Sequence, residues 1–171
     1  MSNHKPYQPK VIEHFKNPHN FGRIEDPDGV GKVGNIVCGD VMWVYIRVGK
    51  NEQGEEILKD VKFETFGCVA AVATSSMVTD LAKGKTLREA LGIDKGEIAD
   101  SLGGLPPVKM HCSVLAVDAL GEAVYNYLSE NDKEIPKELE VKHQRVEKEL
   151  EEIKERYQDY AGINEEVRKE K

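Results

Sequence analysis

The chain has 171 residues, of which 39% are hydrophobic, enough for one compact domain with a core and an appendage but not for two full domains. Its formal net charge of -7 argues against a nucleic-acid-binding surface and against attachment to an anionic membrane, because both need clustered lysine and arginine. Residues 1–7 contain no apolar core of an export signal, and no run approaches the roughly 18 apolar residues that span a bilayer. We therefore expect a cytoplasmic protein.

The first part of the chain predicts a short helix followed by a β-hairpin. Residues 9–16 place their apolar side chains on one helical face. From residue 30 to residue 48 the sequence has strand character, and apolar residues on both faces of 41–48 indicate a central strand. The polar, glycine-bounded segment 49–54 separates this strand from another at 57–66, so the pair predicts an antiparallel hairpin.

The following part of the chain predicts helices. Residues 69–82 form an alanine-rich run with helical spacing of the larger apolar residues, which indicates a buried helix. Two short helical pieces follow at 86–91 and 94–102, and the glycine and proline residues of 103–107 predict a loop. A helical pattern resumes at 112–128.

A charged tail follows residue 131, and we divide the chain into a domain at 1–131 and a helical extension at 132–171. With His143 counted as a seam position, the apolar residues of the tail recur at alternating steps of three and four. These residues are Leu139, Val146, Leu150, Ile153, Tyr157 and Tyr160. The stripe fits either an amphipathic helix lying on its own domain or a helix that associates with a second copy.

Three cysteines, an odd number in a chain without an export signal, favour free thiols or metal ligands over disulfides. Cys38 lies at the mouth of a predicted strand beside Gly39, whereas Cys68 and Cys112 lie at predicted helix amino termini. The helix dipole favours an anion there, and the thiolate is the form that binds soft metals. A single cysteine of this kind is usually a small buried hydrophobe. Three in polar or glycine-lined junctions predict one partly open site that holds a transferable metal cluster.

Asp40 and His111 flank two of the cysteines and are candidates for a fourth ligand. An imidazole suits zinc or iron, whereas a carboxylate adds a hard oxygen to a sulfur-rich site and should make bound metal easier to remove. Alternatively, His111 caps a helix or lies in the core, and Asp40 forms a turn at the mouth of the strand.

Four motifs, which together contain every cysteine, resemble the IscU family of iron-sulfur cluster assembly scaffolds, related to the amino-terminal module of NifU proteins. They lie at 7–22, 38–42, 63–68 and 105–113, and the similarity covers most of the chain as far as about residue 128. The resemblance implies a small α+β fold in which helices cover a mostly antiparallel three-stranded sheet. The cysteines would cluster at one exposed end of this fold.

The resemblance also implies a function and the roles of individual residues. A cysteine desulfurase would deliver persulfide sulfur, and Cys112 would accept it. A [2Fe-2S] cluster, with [4Fe-4S] as the larger alternative, would form on Cys38, Cys68 and Cys112 and pass to apo iron-sulfur proteins. Asp40 resembles the aspartate that keeps the cluster labile, and His111 matches a histidine that can serve as a ligand.

A proline-containing segment resembles the motif that an Hsp70-type chaperone grips in this family. Its residues are Leu105, Pro106, Pro107, Val108 and Lys109. Two prolines can hold such a segment extended and available to an outside groove. It can equally be a rigid loop that aims His111 and Cys112, and both roles are compatible.

The tail departs from the simpler members of the family and contains no cysteine, so it does not resemble a further cluster-binding module of NifU proteins. A dimer stabilised by its apolar stripe is a hypothesis. The alternative function for the whole chain is a zinc-binding regulatory protein that uses the same three thiolates. An enzyme with Cys112 as nucleophile is disfavoured, because the adjacent His111 is poorly placed to act as its base.

Overall fold

The computed structural model describes residues 7–35 and 39–169, with side chains described as far as residue 156. The elements in chain order are α1 (Pro9–Lys16), β1 (Gly29–Gly34), β2 (Val41–Lys50), β3 (Glu56–Phe66), α2 (Val69–Ala82), α3 (Leu87–Leu91), α4 (Lys95–Ser101), a 3₁₀ helix (Pro107–Lys109), α5 (Met110–Glu130) and α6 (Lys137–Lys169). None of these helices is both long enough and apolar enough to cross a membrane. The predicted α+β class is confirmed.

The sheet has three antiparallel strands in the order β1-β2-β3, so β2 is the central strand as predicted. The side chains of Met42, Val44 and Ile46 in β2 are fully buried on one face, where α2 and α5 cover the sheet. On the other face, the Trp43 ring is half-buried and the ammonium of Lys32 lies 5.5 Å from its centroid. The core therefore lies on one side of the sheet, which is the usual arrangement for antiparallel strands.

Helix α5 lies directly against β1 because glycine leaves room for its backbone. A Cβ atom added at Gly31 would lie 2.0 Å from the carbonyl oxygen of Ala119, and one added at Gly29 would lie 2.3 Å from that of Ala123. Any side chain at either position would force the helix away from the strand. This close packing fixes α5, whose first turn carries two of the candidate site residues.

The segment from residue 30 to residue 48, which has strand character throughout, divides into two paired strands. The described residues next to the break between the strands are hydrogen-bonded to one another: the Asn35 N–H donates to the Asp40 carbonyl, and the Gly39 N–H donates to the Asn35 carbonyl, both at 2.9 Å. Gly39 has a φ of +71°, a conformation that glycine adopts readily. Because the strands are antiparallel, the end of β1 and the start of β2 lie side by side, with Gly34 paired to Val41.

Helix α6 packs on its own domain over α5 and β1. Leu139 and Val146 belong to the hydrophobic core and are 4% and 2% exposed. Farther along, Ile153 and Leu150 lie against Gly34 at the end of β1. Of the two arrangements that the stripe permits, the described residues adopt the amphipathic helix on its own domain. The stripe side chains Tyr157 and Tyr160 lie outside the described residues.

Candidate metal centre

Cys68 lies where strand β3 turns into helix α2. The strand ends at Phe66, Gly67 follows, and Cys68 is the residue that precedes the first turn of α2, as predicted. A Cβ atom on Gly67 would lie 2.7 Å from the Cβ atom of Ala71 and 3.1 Å from the carboxylate of Asp40. Glycine at position 67 therefore lets the Asp40 carboxylate lie close to the junction between β3 and α2, where Cys68 is located.

Cys112 and His111 lie in the first turn of α5, also as predicted. The hydroxyl of Thr74 donates a hydrogen bond of 3.2 Å to the Cys112 carbonyl, which ties the start of α5 to α2. Cys112 is fully buried, whereas His111 and Cys68 are half-buried. The contact between α2 and α5 thus sets the position of both described cysteines.

The two sulfur atoms lie 3.8 Å apart, which is too far for a disulfide bond between them. Two sulfurs bound at about 2.3 Å to a single tetrahedral ion are separated by roughly the same distance. The described cysteines are therefore already spaced as two ligands of one metal ion.

Asp40 completes the cluster from the side of β2. One ligand atom from each of Asp40, His111 and Cys112 lies within 4.8 Å of the others. Asp40 is only 4% exposed, and its Oδ2 atom has no hydrogen-bond partner among the described residues. An unsatisfied buried carboxylate oxygen is costly unless something else occupies its lone pairs. A cation at this position would remove that cost.

The structure therefore brings together four of the five predicted ligands: Asp40, Cys68, His111 and Cys112. Cys38 lies outside the described residues. In the sequence it stands two positions before Asp40, between the last residue of β1 and the first residue of β2. Its place among the ligands stays a prediction.

Sequence reasoning assigned neither Lys109 nor Tyr7 to this site. Negative charge on Cys68 is the largest cause that raises the pKa of Lys109. Burial opposes the rise, and Tyr7, Cys112 and a hydrogen bond to Cys68 add to it. Burial and then the charge of Cys68 raise the pKa of Tyr7. Both side chains therefore lie close enough for negative charge on Cys68 to raise their pKa values. Lys109 was visible in the sequence as a basic residue three positions before Cys112, but Tyr7 gave no such signal.

The proline segment differs from the extended loop expected for it. Pro107–Lys109 forms one turn of 3₁₀ helix that leads directly into α5, because proline is well tolerated at the first position of a helix. Val108 is 71% exposed, whereas Leu105 is half-buried and packs against the core. The segment presents the apolar side chains of Pro107 and Val108 to solvent and leads directly into the helical turn that carries His111 and Cys112.

Thiolate, imidazole and carboxylate groups together can bind a borderline or soft metal, and the carboxylate is the weakest partner for such a metal. Lys109 adds a positive charge beside the thiolates, which favours anions such as sulfide or a negatively charged cluster. The arrangement is suited to holding metal and sulfur in a form that can be released.

Comparison with known proteins gives consistent matches. The chain matches the family model described as the NifU-like N terminal domain over residues 6–134. The iron-sulfur cluster assembly scaffold protein IscU 1 of Archaeoglobus fulgidus is 53% identical over 156 residues, which cover 91% of this chain and 96% of the relative. The IscU scaffold protein of Azotobacter vinelandii is 52% identical over 124 residues, which cover 71% of this chain and 93% of the relative.

A solved structure supports the fold. A crystal structure from Fervidobacterium islandicum, described as a putative iron-sulfur cluster assembly scaffold protein for the SUF system, aligns with a TM-score of 0.55 and 23% identity. The alignment covers 69% of this chain and 96% of the other. At this identity the likeness extends to the fold alone.

Proposed function

Because this chain belongs to the NifU-like N-terminal domain family, we propose that it builds a [2Fe-2S] cluster on Cys38, Cys68 and Cys112 and then transfers it. Its relatives are named as scaffolds, and the chain is accordingly an iron-sulfur cluster assembly scaffold rather than an enzyme. The cluster type, the source of sulfur and the recipients are the finer parts of the proposal.

One observation carries the proposal: two cysteine sulfurs lie 3.8 Å apart, next to a buried carboxylate oxygen that lacks a hydrogen-bond partner among the described residues. A thiol pair alone would also suit zinc. A hard carboxylate and a half-buried imidazole beside soft sulfurs instead favour a bound species that leaves readily. We propose Asp40 or His111 as the fourth ligand, and [4Fe-4S] as the larger product.

The proposed sulfur source is the persulfide of a cysteine desulfurase. A thiolate of this chain attacks the outer sulfur of that persulfide, the S–S bond breaks, and the desulfurase thiolate leaves. Reduction of the transferred sulfur to sulfide then needs two electrons, which an external thiol or ferredoxin-type reductant supplies. We keep Cys112 as the acceptor; because it is fully buried, the segments that cover it must open when the desulfurase binds.

The acceptor can be identified by trapping. The chain is incubated with desulfurase and cysteine without iron, free thiols and persulfides are alkylated, and the cysteine-containing peptides are weighed. We expect the additional sulfur on the Cys112 peptide. Sulfur found on the half-exposed Cys68 instead would reassign the acceptor, while leaving the ligand proposal intact.

Assembly itself is tested by anaerobic incubation with iron, desulfurase, cysteine and dithiothreitol. We expect visible charge-transfer absorption and acid-labile sulfide in the wild type, and loss of both in Cys68→Ser and Cys112→Ser, because a soft ligand is replaced by a poor one. The matched control is Ser113→Ala, which alters the neighbouring buried side chain without removing a thiolate. A colourless wild-type product that retains zinc would support the zinc-binding alternative.

We propose two further partners. Apo iron-sulfur proteins receive the cluster, and an Hsp70-type chaperone binds the segment formed by Leu105, Pro106, Pro107, Val108 and Lys109. The 71% exposed Val108 side chain supports this second partner, whereas the 3₁₀ turn at Pro107–Lys109 would have to unwind for the segment to bind in an extended form.

A further inference from the structure

A second group of potential metal ligands lies where α1 and the loop after it contact α2. One ring nitrogen from each of His14 and His19 and one carboxylate oxygen of Asp80 lie within 4.8 Å of one another. The two imidazole rings are 4.5 Å apart between centroids, and Nδ1 of His19 lies 2.6 Å from Oδ2 of Asp80. Two imidazoles and a carboxylate form a ligand set used for zinc and for non-haem iron.

Neighbouring polar groups hold these three side chains in place. The Ser76 hydroxyl lies 2.8 Å from Nδ1 of His14 and accepts a hydrogen bond of 2.8 Å from the backbone N–H of His19. The amide of Asn20 donates to the other carboxylate oxygen of Asp80 at 3.1 Å. Hydrogen bonds of this kind to metal-binding side chains orient them and strengthen binding.

The group also has the access that a metal site needs. His14 is buried and fixed, whereas the side chains of His19 and Asp80 are 48% and 34% exposed. Donor atoms around a tetrahedral zinc ion lie about 3.3 to 3.5 Å apart, given bonds of about 2.0 to 2.1 Å. The adjustment from the present separations falls on the two exposed side chains, which can move without disturbing the core.

We infer that His14, His19 and Asp80 form a second metal site, which binds a divalent first-row transition metal such as Zn²⁺ independently of the cysteines. Asp80 is twelve positions after Cys68 along α2, a rise of roughly 18 Å, so the ligands of the two sites do not overlap. Water completes the coordination on the exposed side. A bound ion would link α1 and its following loop to α2.

The inference is tested in a full-length chain in which all three cysteines are replaced by serine, so that thiolate binding cannot contribute. Isothermal titration with Zn²⁺ alone should show one equivalent bound. His19→Gln and Asp80→Asn should each weaken Zn²⁺ binding by at least about tenfold. Loss of a residue that only hydrogen-bonds to a metal ligand already lowers metal affinity by about that factor. The matched control is His143→Gln, since His143 is likewise hydrogen-bonded to a carboxylate, that of Glu122.

Absence of Zn²⁺ binding, or equal affinity in the chains with and without His19, would overturn the inference and leave a purely structural hydrogen-bond network. If far-UV circular dichroism shows that the chain without cysteines does not fold, zinc stoichiometry is compared in otherwise wild-type protein. There His19→Gln should lose one equivalent, and unchanged stoichiometry would overturn the inference. Neither experiment depends on whether a cluster forms on the cysteines.

Discussion

The carboxylate of Asp40 combines deep burial with an oxygen that the described residues leave without a hydrogen-bond partner. The glycine at position 67 makes this possible, because any side chain there would collide with the carboxylate or with Ala71. Burial of such a group costs stability unless a cation compensates it. At the scale of single residues, the Asp40 carboxylate is therefore a favourable position for a cation.

Replacing Asp40 with alanine should slow cluster transfer to an apo-ferredoxin several-fold, because the hard ligand that dissociates most readily is lost. The measurement is the time course of the ferredoxin circular dichroism signal after mixing with reconstituted protein. Asp100→Ala, which removes an exposed acid of α4, is the control and should leave transfer unchanged. Equal transfer rates for Asp40→Ala and wild type would contradict this role.

Gly67→Ala should lower the free energy of unfolding by about 1 to 3 kcal/mol through overpacking, and should also reduce the iron and sulfide bound after reconstitution. The new methyl group would push the Asp40 carboxylate and α2 apart. Gly121→Ala is the control: its Cβ would meet only Leu139, at an ordinary contact distance of 3.5 Å. Denaturant unfolding and sulfide analysis measure the two effects, and a neutral Gly67→Ala would refute the close approach.

At the scale of elements, α6 is held on α5 by ion pairs as well as by its apolar stripe. Arg145 donates to both carboxylate oxygens of Asp118 at 2.9 Å, and His143 stacks on Tyr125 while contacting Glu122. Burial raises the pKa of Asp118, and Arg145 opposes that rise. Arg145 and His143 of α6 thus provide partners for Asp118 and Glu122, two buried acids of α5.

Arg145→Met should destabilise the protein by about 1 to 3 kcal/mol near neutral pH, the cost of leaving a buried polar group without its partner. The loss should be smaller at pH about 4.5. Without Arg145 the pKa of Asp118 rises further above its ordinary 3.8. Between 3.8 and that raised pKa, the native state holds a proton on Asp118 that the unfolded state has released. The stability of the variant therefore falls as the pH rises from 3.8 through the raised pKa. Lys142, the other cation near Asp118, remains in the variant.

Denaturant unfolding at both pH values measures the effect of Arg145→Met. Lys148→Met, which changes an exposed cation on the same helix, is the control and should have little effect at either pH. An equal loss at both pH values would contradict a role for Arg145 in neutralising Asp118.

Strong local patterns made some elements predictable from the sequence. The alanine-rich run predicted the first and last residues of α2 correctly. The apolar residues on both faces of 41–48 correctly predicted that β2 is the central strand. The strand character of residues 30 to 48 did not by itself mark the last residue of β1, because the end of that strand depends on backbone hydrogen bonds around Asn35 and Gly39.

Contacts between distant parts of the chain could not be predicted in the same way. Cys68 and Cys112 were predicted to meet from their similar local settings, and they do. Lys109, the last residue of the 3₁₀ turn, lies close to Cys68, and Tyr7 reaches the site from before α1. The apolar stripe of α6 could not by itself distinguish its own domain from a second copy.

At the scale of the whole molecule, the stripe of α6 is already used within one chain as far as Ile153. Side chains buried against α5 and β1 are not available to a partner at the same time. The proposal that a homodimer forms through this stripe is therefore the less favoured of the two arrangements.

Val146→Ala tests this point. We expect a lower melting temperature, from the loss of about 1 to 3 kcal/mol of core packing, with no new dependence on protein concentration and no change in sedimentation. Val141→Ala, at an exposed position of the same helix, is the control. If the stripe joined two chains, Val146→Ala would shift the sedimentation coefficient downward on dilution and make the melting temperature rise with concentration.

The most direct test of the scaffold account is cluster transfer in the presence of a chelator. The chain is reconstituted anaerobically, freed of unbound iron and mixed with apo-ferredoxin and EDTA. The account predicts that holo-ferredoxin appears in proportion to the cluster lost from this chain, because iron and sulfide move together as one unit. Capture of all the iron by EDTA, with no holo-ferredoxin formed, would contradict it.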